Sequence, residues 1–282
     1  MVAILGGLGA AFVFATTTLC SSRSTRMLGA GPVLAWVMIV GLLITAPVVA
    51  VEGRPPGLDG RAVGWLAVSG VGNVVGLLLA YGALRAGKVA VVAPIVSTEG
   101  AIAAVISVAA GEHLAPGVGV TLAVIAVGIL LAAIPREATP AVAERSARAA
   151  ALAVAAAFSF GVSLYATGHV GTKVPVFWAL FPARIVGVVA VAIPLALTSR
   201  LRLTGRALPL VVISGICEVA GFGLFTIGAR HGLAVSAVLA SQFAAIAALV
   251  AYVLFRERLL RVQLVGVVTI VAGVAVLAVL QA

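Results

Sequence analysis

Ten stretches of roughly twenty apolar residues follow one another along this chain, at about 2–20, 31–51, 62–84, 89–110, 117–135, 149–168, 177–198, 208–229, 233–254 and 262–280. About twenty apolar residues in a helix match the ~30 Å hydrocarbon core of a bilayer. Only helices and closed barrels satisfy their own backbone groups in lipid. The runs are twice the length of a barrel strand and do not alternate, so the sequence predicts ten membrane-spanning α-helices. A soluble fold is excluded, since 9% of the residues are charged and 63% are hydrophobic, against about 25% charged in an ordinary globular domain. No basic n-region precedes the first run, which reads as the first spanning helix rather than a secretory signal.

The formal charge of +10 does not point to nucleic acid, because the 18 basic residues are scattered over nearly every loop. Loops after odd-numbered runs hold thirteen Lys and Arg and those after even-numbered runs hold four, which by the positive-inside rule puts both termini outside. Cys20 and Cys217 both fall inside apolar runs. They form no metal spacing and read as small buried hydrophobes. His113, His169 and His231 sit at run ends without ligand spacing. Gly82 to Val89 resembles a phosphate loop, but Val89 stands where the Mg²⁺-binding Ser or Thr is needed. Neither ATP nor any cofactor or metal is expected. A single Asp, the loop residue Asp59, excludes a paired-aspartate protease, so no enzymatic activity is expected.

The longest polar stretch, 136–148, divides the runs five and five. It predicts a first repeat over 1–135, a linker, and a second repeat over 149–282. Shifting the chain by 145 residues lays Ser69-Gly70 on Ser214-Gly215, Gly76 on Gly221, Arg85 on Arg230, Glu112 on Glu257 and Gly128 on Gly273. Ala-Phe-Val-Phe at 11–14 meets Ala-Phe-Ser-Phe at 157–160 at nearly the same offset. Five helices per repeat is an odd number, so the second copy enters the membrane from the opposite side. Inverted repeats of this kind build many secondary transporters, with the substrate site near the midplane between the halves.

Ionisable residues inside a span are costly and are functional candidates by default. Glu99, Glu218 and Arg184 are such residues. Glu99 and Glu218 fall at the centres of the fourth and eighth runs. Asn73, the repeat partner of Glu218, is central in the third. Gln242 beside Ser241 is near the centre of the ninth and maps onto Ser97. Runs three, four, eight and nine thus put polar groups at one depth. The two carboxyls are candidates for binding an ammonium, a proton or both, and Arg184 for a carboxylate, for snorkelling to the interface or for pairing with a Glu. Thr16 to Thr18, Ser159 and Ser163 can line a path or bond back to their own helices. Tyr165 and Trp178 read as interface residues. Pro94, Gly72 and Gly76 mark helices that bend or approach closely.

Gly111-Glu112-His113-Leu114 followed by Gly128, and Arg256-Glu257-Arg258-Leu259 followed by Gln263, Gly266 and Gly273, carry a resemblance. With Pro94 opening the fourth run and Arg184 in the seventh, the chain resembles an EamA-type ten-helix member of the drug/metabolite transporter superfamily. The second repeat has Leu239 in place of the proline, the first has about Met38 in place of the arginine, and a Trp-Gly usual in the first helix is replaced near Ala15-Thr16. The resemblance covers the whole chain. It implies an integral membrane transporter, usually an exporter, of amino acids, related metabolites or drugs, with both termini inside. Aromatic residues make up 6% of the chain and few fall mid-run, which disfavours a carrier of hydrophobic cations against one of polar metabolites. A passive channel, and a sensor or scaffold that binds solute without moving it, are the remaining alternatives. The expected partners are a small solute and the bilayer, and a monomer suffices.

Overall fold

The computed structural model describes residues 1–111, 117–133, 140–170, 174–229, 239–240, 242–254 and 259–280. The described elements are α1 (Val2–Leu28), α2 (Ala30–Glu52), α3 (Gly60–Ala86), α4 (Val89–Val96), α5 (Glu99–Ala109), α6 (Val118–Ala133), α7 (Pro140–Val170), α8 (Val176–Gly187), a π turn (Val188–Ala192), α9 (Ile193–Leu197), α10 (Leu208–Ala229), α11 (Phe243–Leu254) and α12 (Arg261–Leu280). Among the described residues, six spans are long and apolar enough to cross a membrane, the one from Val176 to Leu197 uniting α8, the π turn and α9. Four shorter apolar helices complete the set of ten. Large side chains such as Leu43, Leu130 and Val253 lie exposed on the outside, which is the stable arrangement where the surrounding solvent is lipid.

Helix ends follow local chemistry. The Asp59 carboxylate caps α3 by accepting from the Ala62 N–H at 2.7 Å, satisfying one of the donors a helix start leaves free. Gly29, at φ 93°, turns the chain between α1 and α2 in one residue, a conformation that favours glycine. Two expectations need correction. Ser21 to Arg26, which falls between the first two apolar runs and so is expected in a loop, is helical. Ser24 and Thr25 donate back to the carbonyls of Cys20 and Ser22, and Ser21 bonds Ser214 on α10 at 3.2 Å, so the polar turn is satisfied without leaving the helix. Similarly, 140–148 of the expected linker is the first part of α7, while 136–139 lies outside the described residues.

The packing repeats with the sequence. Numbering spans one to ten, the most extensive contacts are three with six (α3 and α7), one with eight (α1 and α10), and five with ten (α6 and α12). A shift of five exchanges the first two and returns the third to itself. Two with eight (α2 and α10) and seven with three (α8 and α3) are exchanged in the same way. The halves are therefore related by a two-fold axis, which in an inverted repeat lies in the membrane plane.

Glycines mark the crossings. A Cβ on Gly76 would come within 2.6 Å of the Phe160 ring, and one on its partner Gly221 would overlap the Phe14 ring. Gly128 lies against Ile270, as Gly273 lies against Ile125. At Gly223, two residues beyond Gly221, an added methyl would meet nothing within 4 Å. Gly221→Ala is therefore expected to lower the melting temperature, with overpacking costing roughly 1–3 kcal/mol. Gly223→Ala should leave it unchanged or raise it by the helix preference of Ala, about 1 kcal/mol. Thermal unfolding of both variants in one detergent checks the contrast, and equal shifts would contradict it.

Candidate functional site

Spans one, three, four, six, seven and eight, with the first residue of α11, enclose a cavity of about 640 Å³. This lies within the ~300–1,000 Å³ usual for small-molecule sites. Its polar lining includes Asn73, Glu99, Arg184 and Glu218, with Thr17, Thr18, Ser69, Ser163, Thr167 and Thr226.

Arg184 and Glu218 form a buried ion pair through Nη2 and Oε2. Arg184 does not snorkel: it is 1% exposed. It stands where spans two and seven cross near the axis. Its repeat counterpart Met38 accepts from Nη1 at 3.7 Å. A Cβ on Gly41 would come within 2.7 Å of its Nε, so the glycine makes room for the guanidinium. In the mirror arrangement, Met38 fills the space left by Gly187. Nε of Arg184 and Oε1 of Glu218 are buried without a hydrogen-bond partner among the described residues.

Glu99 occupies a different kind of position. The fourth span breaks after Val96, where Ser97 Oγ donates to the Pro94 carbonyl at 2.8 Å and Thr98 Oγ1 to the Ile95 carbonyl at 2.7 Å. Pro94 cannot donate to the ladder, and the two hydroxyls cover carbonyls at the end of α4. Glu99 then opens α5, placing its carboxylate at the electropositive end of a new helix. No described residue pairs with it. In the ninth span, Gln242 is likewise a turn residue immediately before α11. Gln242 and Ser97 occupy equivalent places in the repeat, and a discontinuous helix such as the fourth span holds the substrate in many transporters.

Of the residues singled out in the sequence, the structure brings Asn73, Glu99, Arg184 and Glu218 to one cavity. Ser97 is buried and bonded within its own turn, Gln242 is not among the lining residues, and Ser241 lies outside the described residues. So do Glu112, His113, Arg256, Glu257 and Arg258 of the recurring motif, together with His231. Pro94 lies just before the helix break and Gly76 at a close ring contact, while Gly72 faces the Ser159 carbonyl and Ser163. Trp178 packs with Val170 and Val174, its indole N–H buried.

The aromatic lining was not anticipated. Phe14, Tyr81, Phe160, Phe222, Phe225 and Phe243 all face the cavity. Phe14 meets Phe222 and Phe243 edge-on, with ring centroids 5.4 and 6.2 Å apart. Few aromatics fall mid-span, but helix packing gathers those that do around one space. The signal was present in the repeated Ala-Phe-x-Phe: Phe14 and Phe160 are the two rings that seat on Gly221 and Gly76. A desolvated cation against such a ring gains about 2 kcal/mol.

Hydroxyl clusters flank the site in a repeated pattern. Ser69 lies 3.2 Å from Ser163 Oγ and 2.7 Å from Thr167 Oγ1, and Ser163 also donates to the Ser69 carbonyl at 2.8 Å. The counterparts Ser214, Thr17 and Ser21 keep only the 3.2 Å bond of Ser21 to Ser214, while Thr17 Oγ1 is buried without a partner. The two clusters thus share a plan but not the same hydrogen bonds.

The profile of the EamA-like transporter family matches residues 1–134 and 147–279. A crystal structure of a protein 19% identical to this chain aligns over 99% of it and 96% of the other chain, with a TM-score of 0.66, a likeness of fold. No curated protein matches this chain.

Proposed function

Because the chain belongs to the EamA-like transporter family and is therefore a multi-pass membrane protein of the drug/metabolite transporter type, we propose that it is a secondary transporter of small amino-group metabolites, amino acids and related compounds, working by alternating access. Export across the inner membrane, with protons exchanging at Glu99, is part of the proposal. The observation that carries it is the 640 Å³ cavity between two related halves, with the Glu99 carboxylate, which no described residue pairs, at a helix break. The matching helix contacts of the two halves support it as well, since inverted repeats that exchange their arrangements move the opening from one side of the membrane to the other.

A second reading, an exporter of larger organic cations, gains support from the aromatic lining. A passive channel is disfavoured by a cavity crossed by a buried ion pair. Counterflow separates carrier from channel. Proteoliposomes preloaded with unlabelled amine or amino acid should take up the labelled compound transiently above its external concentration. Uptake that never exceeds equilibrium, whatever the preload, would mean a channel.

A further inference from the structure

The hydrogen-bonding inventory of the cavity is unbalanced. Three lining residues hold acceptors without a donor among the described residues: Glu99, whose carboxylate no described side chain meets, and Asn73 and Glu218, whose Oδ1 and Oε1 are buried without a hydrogen-bond partner. The one lining guanidinium, Arg184, already holds Glu218. Its unbonded Nε is turned toward the crossing with α2, where even a methyl on Gly41 would come within 2.7 Å of it. Among the described residues, a carboxylate entering this cavity has no cation to meet but Arg184, and would have to displace Glu218 from a buried pair. An ammonium carries three donors and no acceptor, the complement of what the cavity offers. The pair Arg184–Glu218 is neutral as a unit, so Glu99 leaves the described lining with one negative charge to be matched.

The walls add the second half of the specification. Phe14, Phe222 and Phe243 form an edge-to-face cluster. Such a cluster suits a flat apolar body, and its ring faces suit a cation. We infer that the substrate class is organic ammonium ions with an aromatic-sized apolar body and no carboxylate, amines rather than the parent amino acids. Glu99 and Asn73 receive the ammonium, and the phenylalanine cluster receives the body. This narrows the amino-group metabolites of the proposed function to amines, sets the parent amino acids aside, and rests on the cavity being the transport site.

Binding and flux are measured separately. Labelled 2-phenylethylamine is bound to the purified full chain in detergent and competed with phenylalanine, phenylalanine methyl ester and phenylacetate. The ester keeps the amine and loses the negative charge. The amine and the ester should compete at concentrations at least about tenfold lower than phenylalanine, a buried unmatched carboxylate being the difference. Phenylacetate should not compete. Glu99→Gln should weaken amine binding about tenfold or more, and Phe222→Leu should weaken it while preserving the preference for ester over acid. Both variants are compared with the parent by size-exclusion elution and melting temperature, so that loss of fold is seen as such. Phenylalanine competing as well as its ester, or no amine binding to a folded protein, overturns the inference. In proteoliposomes, counterflow of phenylalanine but not of the amine would overturn it and leave the carrier reading intact. Selective amine binding without counterflow would uphold it and remove the carrier reading.

Discussion

Glu218→Ala should be the most destabilising single substitution in the membrane core, by roughly 3–5 kcal/mol, because it strands Arg184 as a buried unpaired cation. Arg184 is 1% exposed and Glu218 3%. After the substitution, the guanidinium keeps the Met38 sulfur at 3.7 Å as its described contact, a weak acceptor. Arg184→Ala should cost a similar amount, leaving the carboxylate alone. The double variant Arg184→Met, Glu218→Leu should behave differently. Both ions already lack part of their hydrogen bonding, at Nε and at Oε1, so the desolvation of the pair is incompletely offset. Replacing such a pair by apolar side chains is often neutral or stabilising by about 1–4 kcal/mol. Melting temperatures of the four proteins give the test. The expected result is a double variant more stable than either single one. Singles no worse than the double would show that the isolated charges find other partners and that the pair is not what holds spans seven and eight together at this point.

That pair also shows where sequence reasoning stopped. Arg184 and Glu218 stood out because charge inside a span is expensive, and pairing was one of three roles open to the arginine. The choice among them depended on the crossing of spans two and seven. That crossing in turn depends on Gly41 and Gly187, residues whose contribution is the absence of a side chain. Nothing in a glycine's position says which neighbour will occupy the space. The architecture was legible for the opposite reason. Ten apolar runs and the coincident Ser-Gly, Gly and Arg positions at one offset are properties of the chain itself, and the paired helix contacts follow the same shift. The polar layer was legible by depth but not by direction. Asn73 and Glu99 reach the cavity, whereas Ser97 turns to bond the Pro94 carbonyl. Residues two positions apart on a helix face different ways, and the break in the fourth span resets that phase. The aromatic lining was missed because overall composition was weighed instead of convergence.

Glu99→Gln should abolish proton-driven accumulation. If a monovalent cation exchanges for one proton, each unit of pH difference can sustain about a tenfold concentration ratio, since a tenfold ratio corresponds to about 1.4 kcal/mol. The probe should be the guanidinium analogue of 2-phenylethylamine, which keeps N–H donors for Glu99 and Asn73 and, charged at every working pH like an arginine side chain, does not follow the pH gradient as a neutral base. In proteoliposomes with an acidic interior, the parent protein should concentrate the cation inward while protons leave. The Gln variant should bring it only to equilibrium, a loss of roughly 100-fold in accumulation ratio at a difference of two pH units. The reason lies in the two carboxylates of the described lining. Glu218 is held by Arg184, so releasing its role to a substrate would expose a buried guanidinium, whereas Glu99 has no described partner and can alternate between proton and cation without leaving a charge unmatched. Glutamine keeps the shape of the side chain and removes the exchange. Accumulation that persists in the variant would place the proton on another group, Glu218 being the first to examine. Counterflow retained without accumulation would show a carrier whose cycle has been separated from the proton, the result expected if Glu99 supplies coupling and the phenylalanine walls supply the remaining affinity.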